Sequence, residues 1–400
     1  MIALFWTAVA AIAWTYMGFP AWVLARGRWK PRPLRPDPTW IPPDVTIIIA
    51  AHNEAASIAD KVRDVLALDH GENTVQLVVA SDGSTDDTVA EATQAGGSQI
   101  VVLDLPRSGK APTLNAAIAA SNGEILVFTD ANSRLKPDAL THLLAPFADS
   151  SVGGVAGDQR YSEGSSTQGQ THGERRYWDF DRALKRAESR AGNVISATGA
   201  LYAVRRQFVG PVADGVTDDF YISTGVVAGG ARLVLAEGAV AWEPPAATAG
   251  LEYERKVRVM TRGFRGVILR RALLDPRRTG AYAVQLLSHK ILRRLVVLPL
   301  AVLAIASAAC WRQGPLYRLV GLGQLAVYTL GAIGLGARDR PIARAKILQL
   351  PAYFCLVNAA ALRAAINVAT GRRITQWDTR RPGDPSLEPA LTPDEGGDLG

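Results

Sequence analysis

The feature that most restricts the fold is a run of 23 residues, 2–24, that contains no charged side chain. As a helix this run is long enough to cross a hydrocarbon core of about 30 Å, because each residue adds about 1.5 Å. A cleaved secretion signal is the alternative, but such signals begin with basic residues and have an apolar core of only about 7 to 15 residues. We therefore predict a membrane-spanning helix at residues 1–25.

Three further apolar stretches lie near the other end of the chain, at about residues 295–311, 319–336 and 347–370. We predict about three spanning helices within 295–370, preceded by an amphipathic interface region at 271–294. Three such spans would place the C-terminal tail on the outer side of the membrane, whereas its basic residues favour the cytosolic side. These residues are Arg372, Arg373, Arg380 and Arg381. One stretch would then lie in the interface plane, either 277–292 or the stretch that carries Arg363.

The net charge of +7 raises the question of a nucleic-acid partner, but the basic residues concentrate beside the apolar stretches. Such flanking residues are Arg26, Arg28, Lys30, Arg32, Arg35, Arg293, Arg294, Arg338, Arg340, Arg344 and Lys346. This distribution is the positive-inside pattern, and the same cations attract anionic lipid headgroups. It predicts a protein of a bacterial inner membrane, with residues 26–294 in the cytosol, and it requires no nucleic acid.

Apolar β-branched runs alternate with helical segments after a basic, proline-rich linker at 26–43. The predicted strands are 45–50, 77–80, 100–103 and 125–129, and the predicted helices are 55–68, 86–95 and 111–120. Strands that are apolar throughout are buried on both faces, which predicts an α/β domain with a mostly parallel sheet between helices. We place this domain at 44–270.

Beyond the alternating segments, the chain is less regular. A Gly/Ser/Gln-rich stretch at 157–173 is predicted to be a mobile lid, and a helix is predicted at 174–190. The tail, 371–400, is predicted to be disordered from about 382, because it is acidic and rich in proline there. Cys310 and Cys355 both lie in apolar stretches, so neither disulfide nor zinc chemistry is indicated.

Polar clusters follow three of the predicted strands, at 52–54, 81–84 and 130–132. Because ligands of parallel sheets bind beyond the carboxyl ends of the strands, we expect all three clusters to share one rim. Asp82 ends the second strand, where its carboxylate can accept a hydrogen bond from uracil, and Glu54 can reach a base or a ribose. Both residues can equally be helix caps.

Asp130 leaves the fourth buried strand, where a carboxylate can bind Mg²⁺ or Mn²⁺ and link the cation to phosphate oxygens. A turn residue is the alternative, since aspartate is common in turns. Lys110 and Asn115 lie close enough in the predicted topology to supplement such a site.

Asp218 and Asp219 form a pair of adjacent carboxylates, and one of them can deprotonate an acceptor hydroxyl. Proximity of like charges and partial burial would raise the pKa of such a base, whereas solvated surface acids are the alternative. Further on, Arg255, Lys256, Arg258, Arg262 and Arg265 place cations on one probable helix. These cations can bind either a diphosphate or lipid headgroups.

Taken together, the motifs resemble the family 2 glycosyltransferases. The matching segments are TIIIAAHNE (46–54), SDGSTD (81–86), GK (109–110) with Asn115, FTDANS (128–133), TGALYAVR (198–205), TDD (217–219) and RKVR (255–258). The flanking membrane helices make the chain most similar to the branch of cellulose, hyaluronan and poly-N-acetylglucosamine synthases. The resemblance covers roughly 44–270 and implies a GT-A fold and an inverting mechanism that uses a nucleotide-sugar, with UDP-sugar as the expected donor.

The resemblance also implies roles for individual residues. Asp219 would be the base and Asp218 its partner in the same motif, while Asp130 and Asn132 would hold the metal. The remaining donor-site residues would be Glu54, Asp82, Lys110, Arg255 and Arg258. The acceptor would be a growing glycan or a lipid-linked glycan, and a second copy or an export partner would complete a polymer channel.

Three departures from the family pattern bear on the acceptor. Asn132 replaces an aspartate, Asp218 replaces a glutamate, and Arg255 and Val259 stand where the family has glutamine and tryptophan. Loss of the tryptophan removes a platform on which a growing chain could stack. Two alternatives therefore remain open: transfer of one sugar to a polyprenyl-phosphate or lipid acceptor, and a catalytically silent nucleotide-binding subunit.

Overall fold

The computed structural model describes residues 1–71, 73–161, 172–243, 249–338, 340, 342, 345–372 and 374. Within this part of the chain, one eight-stranded sheet forms the centre of the predicted α/β domain, in the order β3-β2-β1-β4-β7-β6-β8-β5. Its strands are β1 (Val45–Ala51), β2 (Val75–Asp82), β3 (Ile100–Leu105), β4 (Ile125–Phe128), β5 (Arg134–Leu135), β6 (Val152–Tyr161), β7 (Tyr202–Arg205) and β8 (Arg232–Glu243).

The first four strands run parallel, as the apolar pattern predicts. Ile47 of β1 is in register with Leu77 of β2 and with Val127 of β4. All seven residues of β1 are buried, because helices cover both faces of the sheet. The later strands depart from this arrangement: β7 is antiparallel to both β4 and β6. The α/β class is confirmed, with an antiparallel strand at its centre.

The helices alternate with the strands through the first half of the domain and then continue into the membrane segments. They are α1 (Ile2–Trp29), α2 (Ala55–Leu66), α3 (Thr88–Gly96), α4 (Lys110–Ala119), α5 (Ala139–Leu144), α6 (His172–Ala191), α7 (Asp218–Ala228), α8 (Ala249–Leu269), α9 (Pro276–Thr279), α10 (Ala281–Leu295), α11 (Val297–Ala309), α12 (Pro315–Gly336) and α13 (Lys346–Ala369). The helical prediction at 174–190 is confirmed by α6.

Three of these helices, α1, α12 and α13, are long and apolar enough to cross a membrane, which indicates that the chain is associated with one. A fourth candidate is the pair of α10 and α11, which are bent by 54° relative to each other. The 13 residues of α11 reach only about 20 Å, so α11 alone is too short to span. The number of spans therefore stays a prediction, and so does the interface region at 271–294.

The C-terminal membrane helix packs against the catalytic domain. The amide of Asn367 in α13 donates a hydrogen bond to the hydroxyl of Thr261 in α8 at 3.3 Å. This contact joins α13 to α8, the helix that carries Arg255 and Arg258 of the predicted donor site. Most of the predicted lid, 162–171, lies outside the described residues, and so does the tail from 375 onward, including the segment from 382 that was predicted to be disordered.

Candidate active site

The polar clusters that follow β1 and β2 meet at the carboxyl end of the parallel strands, and the third cluster follows β4, which is parallel to β1. Nδ1 of His52 lies 2.9 Å from the carbonyl oxygen of Asp82. The backbone N–H of Asn53 donates to the hydroxyl of Ser84 at 3.1 Å. Asn53 has a φ of +52°, a left-handed conformation that non-glycine residues seldom adopt. The shared rim predicted from the strand ends is therefore present.

Asp82 is fully buried, and the described partners of its carboxylate lie in the loop before α4. One carboxylate oxygen accepts the backbone N–H groups of Ser108 at 2.7 Å and Gly109 at 2.8 Å. The other lies 2.5 Å from the guanidinium of Arg107. In this structure Asp82 thus anchors a loop, and its contact with uracil stays a prediction that requires Arg107 to move.

Glu54 lies at the N-terminus of α2 and is only 4% exposed. It occupies the N-cap position, yet its side chain makes no capping hydrogen bond to the backbone. Its carboxylate instead accepts the hydroxyl of Ser57 at 2.7 Å. The side chain of Glu54 therefore does not cap the helix. Its contact with the donor stays a prediction.

Lys110 is the centre of the site. Its ammonium lies 3.1 Å from a carboxylate oxygen of Asp130 and 3.1 Å from one of Asp218, two residues that are distant in sequence. Burial by itself would lower the pKa of Lys110, but Asp130 and Asp218 outweigh this effect and hold that pKa above its usual range. Lys110 is therefore a fixed positive charge between the strand that carries Asp130 and the helix that carries Asp218.

Asp219, next in the chain, has the titration behaviour of a general base. Burial, reinforced by the negative charge of Asp218, raises its pKa to about 6. Lys290, Lys110 and the backbone N–H of Phe220, which donates to it at 2.6 Å, limit this rise. A carboxylate with this pKa is ionised at neutral pH and is a stronger proton acceptor than a solvated aspartate.

Asp130 and Asn132 offer the oxygen ligands that Mg²⁺ and Mn²⁺ prefer. The Asp130 carboxylate is 30% exposed, and the Asn132 side chain faces solvent. Among the described residues, there is no cluster of three or more acidic, histidine or cysteine side chains that would hold a cation without other ligands. One carboxylate and one amide oxygen fit a hard cation that would take its remaining ligands from substrate phosphates and water.

The amide of Asn115, by contrast, serves the fold. Its nitrogen donates to the carbonyl oxygen of Val212 at 3.1 Å, and its oxygen accepts the N–H of the same residue at 2.8 Å. Both polar atoms are used in clamping this loop to α4. These contacts do not connect Asn115 with Asp130, so its suggested support of the metal site stays a prediction.

The cations of α8 approach the rim from the membrane side. Arg255 lies close enough to Glu243 to oppose the rise in the pKa of that carboxyl. Burial and the neighbouring charge of Arg258 lower the pKa of Arg262, while Asp218 opposes this shift. This electrostatic coupling of α8 to Glu243 and Asp218 links the helix to the site, while binding of a diphosphate or of lipid headgroups by its cations stays a prediction.

Glu243, at the end of β8, was not identified from the sequence. Burial and the charge of Asp130 raise its pKa to about 7, and the amide of Gln159 donates to it at 2.5 Å. No local pattern marks Glu243, because it reaches the rim only when β8 pairs with β6. It adds a carboxyl group beside Asp130 that titrates near neutral pH.

Lys61 was also missed, although the sequence contains a signal for it. It follows Ile58 and precedes Val62 and Val65 on the buried stripe of α2, where a lysine is unexpected. Its ammonium donates to the hydroxyl of Thr129 at 2.9 Å and to the carbonyl oxygen of Ser133 at 2.8 Å. Lys61 thus holds both ends of the turn that presents Asp130 and Asn132.

Residues 46–210 match the family model described as "Glycosyl transferase family 2". This segment is a family 2 glycosyltransferase domain. Poly-beta-1,6-N-acetyl-D-glucosamine synthase of Staphylococcus aureus is 26% identical over 233 residues, which are 56% of this chain and 56% of that protein. An uncharacterised glycosyltransferase of Nostoc sp. is 29% identical over 135 residues, 31% of this chain and 41% of its own. The chain spans about half the length of the curated relatives it matches.

The GT-A fold is supported by a solved structure. A mannosyltransferase from Pyrobaculum calidifontis, determined in complex with GDP-Man and Mn²⁺, aligns with 92% of this chain and 100% of its own. The TM-score is 0.67 and the sequence identity is 24%. At this identity the likeness establishes the fold. The predicted resemblance to family 2 enzymes of the GT-A type is thus confirmed.

Proposed function

We propose that this glycosyltransferase is an inverting, membrane-bound enzyme that moves a sugar from a nucleotide-diphosphate sugar, with UDP-sugar as the expected donor, to a growing glycan or a lipid-linked glycan. The observation that carries the proposal is the placement of Lys110 between Asp130 and Asp218, with Asp219 adjacent. This arrangement puts a cation, a metal-ligand candidate and a base at one rim of the sheet. Those are the three parts that displacement of a diphosphate requires.

In the proposed reaction, Asp219 takes the proton from the acceptor hydroxyl. The hydroxyl oxygen forms a bond to the anomeric carbon as the bond from that carbon to the diphosphate oxygen breaks on the opposite face. The electron pair of the broken bond leaves with the diphosphate. A single displacement of this kind inverts the anomeric centre and needs no carboxylate nucleophile.

The leaving diphosphate gains negative charge, which the cations of the site offset. Lys110, Arg255 and Arg258 are the residues assigned to this task, because charges placed in advance stabilise a transition state most effectively. Asp130 and Asn132 would hold Mg²⁺ or Mn²⁺, which supplies further neutralisation of the diphosphate when bound. The Mn²⁺ in the structure of the Pyrobaculum mannosyltransferase supports the use of a divalent metal.

The membrane helices support an acceptor that lies near the bilayer, and the charge pattern supports a cytosolic catalytic domain in a bacterial inner membrane. The name of the staphylococcal relative supports a glycan product. A homo-oligomer or an export partner would then complete a path for a polymer. We retain the boundaries 44–270 for the catalytic domain as part of this proposal.

Transfer of a single sugar to a polyprenyl-phosphate or lipid acceptor is a second candidate, and Val259 favours it. This aliphatic residue of α8 is 41% exposed at the position where synthases of the resembled branch carry tryptophan. An aliphatic side chain offers no flat aromatic face on which a sugar ring could stack. The length of the product distinguishes the two candidates, because a synthase makes chains and the alternative adds one residue.

The proposal is tested by release of nucleotide diphosphate from UDP- and GDP-sugars, using the full chain in lipid vesicles with Mg²⁺, Mn²⁺ or EDTA. We expect metal-dependent release that Asp219→Asn abolishes. Asp60→Asn is the matched control, since Asp60 is 55% exposed and pairs with surface arginines that contribute little. Equal release by both variants would show that Asp219 is not the base.

A further inference from the structure

A cavity of about 180 Å³ lies where the first membrane helix meets the catalytic domain. Its walls come from the end of α1, the end of α6 and the start of α10, and they include Trp22, Arg26, Arg32, Glu188 and Gln285. Within the described part of the chain, its lining shares no residue with the rim that carries Asp219. Its volume greatly exceeds the roughly 15 Å³ that one water needs, so it can hold a polar group of several atoms.

Two arginine side chains, those of Arg26 and Arg32, line this cavity. Among the residues that the structure describes, neither Arg26 nor Arg32 forms an ion pair. The carboxylate that lines the cavity, Glu188, is already engaged by the ring of His289 at 2.8 Å and by the N–H of Ile195 at 3.0 Å.

The positions of these arginines are fixed by the fold. The Arg26 guanidinium lies 5.2 Å from the centre of the Trp22 ring, and the backbone N–H of Arg32 donates to the carbonyl oxygen of Arg190 at 2.8 Å. Arg32 is also close enough to Arg232 to help lower the pKa of that guanidinium, whose main cause is burial. Because Asp149 pairs with Arg232 at 3.7 Å, the positive charge that remains for an anion at this cavity is that of Arg26 and Arg32.

The position of the cavity at the end of the apolar helix α1 indicates the source of that anion. Arg26 lies in the last turn of the apolar helix α1, where basic residues mark the headgroup layer of a membrane. Tryptophan is also enriched at this layer, and Trp22 and Val23 add an apolar wall. The cavity thus combines cations at headgroup level with an apolar surface along which an acyl chain can lie.

We propose that this cavity binds the phosphate-bearing headgroup of an anionic membrane lipid, through Arg26 and Arg32. Guanidinium groups donate paired, charge-assisted hydrogen bonds to phosphate oxygens, which gives a stronger contact than a lysine would make. The bound lipid joins α1 to α6 and α10, and so ties the membrane anchor to the catalytic domain. This assignment does not depend on the identity of the transferred sugar.

The test uses the purified full chain in neutral detergent, titrated with dioctanoyl phosphatidylglycerol and, separately, with dioctanoyl phosphatidylcholine. Retained lipid is counted by native mass spectrometry. We expect the native chain to retain phosphatidylglycerol saturably and not to retain phosphatidylcholine. The double variant Arg26→Gln, Arg32→Gln should have an apparent Kd for phosphatidylglycerol that is at least about tenfold higher. The double variant Arg28→Gln, Lys30→Gln is the control, because it removes the same charge from the same segment outside the cavity and should bind as the native chain does.

A second variant keeps both arginines and fills the space. Ala281→Leu adds apolar volume at the cavity wall and is expected to weaken retention similarly, which decides the matter if the arginine variant fails to fold. Three results would overturn the proposal: native retention by both cavity variants, equal retention of phosphatidylcholine, or full displacement of the lipid by millimolar inorganic phosphate. The last result would assign the cavity to a soluble phosphate instead.

Discussion

Replacing Lys61 by methionine should remove a pH dependence of stability that this buried lysine imposes. Lys61 is 1% exposed, and burial lowers its pKa to about 7 despite the nearby charges of Asp64 and Asp130. In the unfolded chain its pKa returns to 10.5. Between these two values the unfolded state binds a proton that the folded state does not, so the free energy of unfolding rises with pH in this window.

The size of the effect follows from the two pKa values. Relative to high pH, where Lys61 is neutral in both states, the lowered pKa reduces the free energy of unfolding by about 4 kcal/mol at pH 7 and by about 2 kcal/mol at pH 9. Roughly 2 kcal/mol of stability is therefore gained across this interval. For a domain of this size the gain corresponds to a rise of about 5 °C in Tm. Methionine cannot titrate, so the variant should lose this rise. The Ser133 carbonyl would also lose a donor, which costs about 1–3 kcal/mol at any pH.

The assay is thermal unfolding of the full chain in neutral detergent, followed by tryptophan fluorescence at one heating rate from pH 7 to 9. Lys136→Met is the control, since Lys136 is exposed and pairs with Asp138 at the surface. We expect the control and the native chain to gain Tm in parallel, while Lys61→Met gains about 5 °C less. Parallel curves for all three proteins would refute the assignment of a low pKa to Lys61.

Three further predictions concern the rim. Gly199→Ala would place a Cβ atom 2.6 Å from a carboxylate oxygen of Asp130 and should displace that carboxylate, which should reduce nucleotide release at least about tenfold. Gly210→Ala is the control: its Cβ meets no atom within 4 Å, so the rate should stay unchanged. Release should rise with pH through about 6, as Asp219 ionises; a profile of kcat/KM that is flat from pH 5 to 8 would contradict its role as base. Asp82→Ala leaves two loop N–H groups without their acceptor, so we expect a loss of roughly 2–4 kcal/mol in a denaturant titration, and an unchanged midpoint would count against the anchoring role.

Much of the site could be predicted because its clues are local. A buried strand that ends in a polar residue identifies Asp82 and Asp130 without any knowledge of packing, since the carboxyl ends of parallel strands share a rim. The same pattern does not show what each carboxylate contacts. Asp82 proved to anchor a loop, and Asp130 proved to pair with Lys110, because both contacts depend on how the segment before α4 folds back.

Lys61 and Glu243 show two different limits of sequence reasoning. Lys61 stands on an apolar helical stripe, so its burial was detectable, but its partners lie about seventy residues away in the turn after β4. Glu243 carries no local signal, because it joins the site only through the pairing of β8 with β6. Non-local pairing of this kind has no periodicity that a single sequence displays.

The sequence by itself determined the candidate membrane segments, the α/β class, the strand ends and the order of the family motifs. Each follows from the run length of apolar residues or from short-range patterning, which a one-dimensional chain records directly. Only the tertiary structure decided that Lys110 lies between Asp130 and Asp218, that Asp219 is buried enough to hold a pKa of about 6, and that a charged cavity forms beside Arg26. Burial and charge proximity depend on distances in space, and packing sets those distances between residues that the sequence leaves far apart.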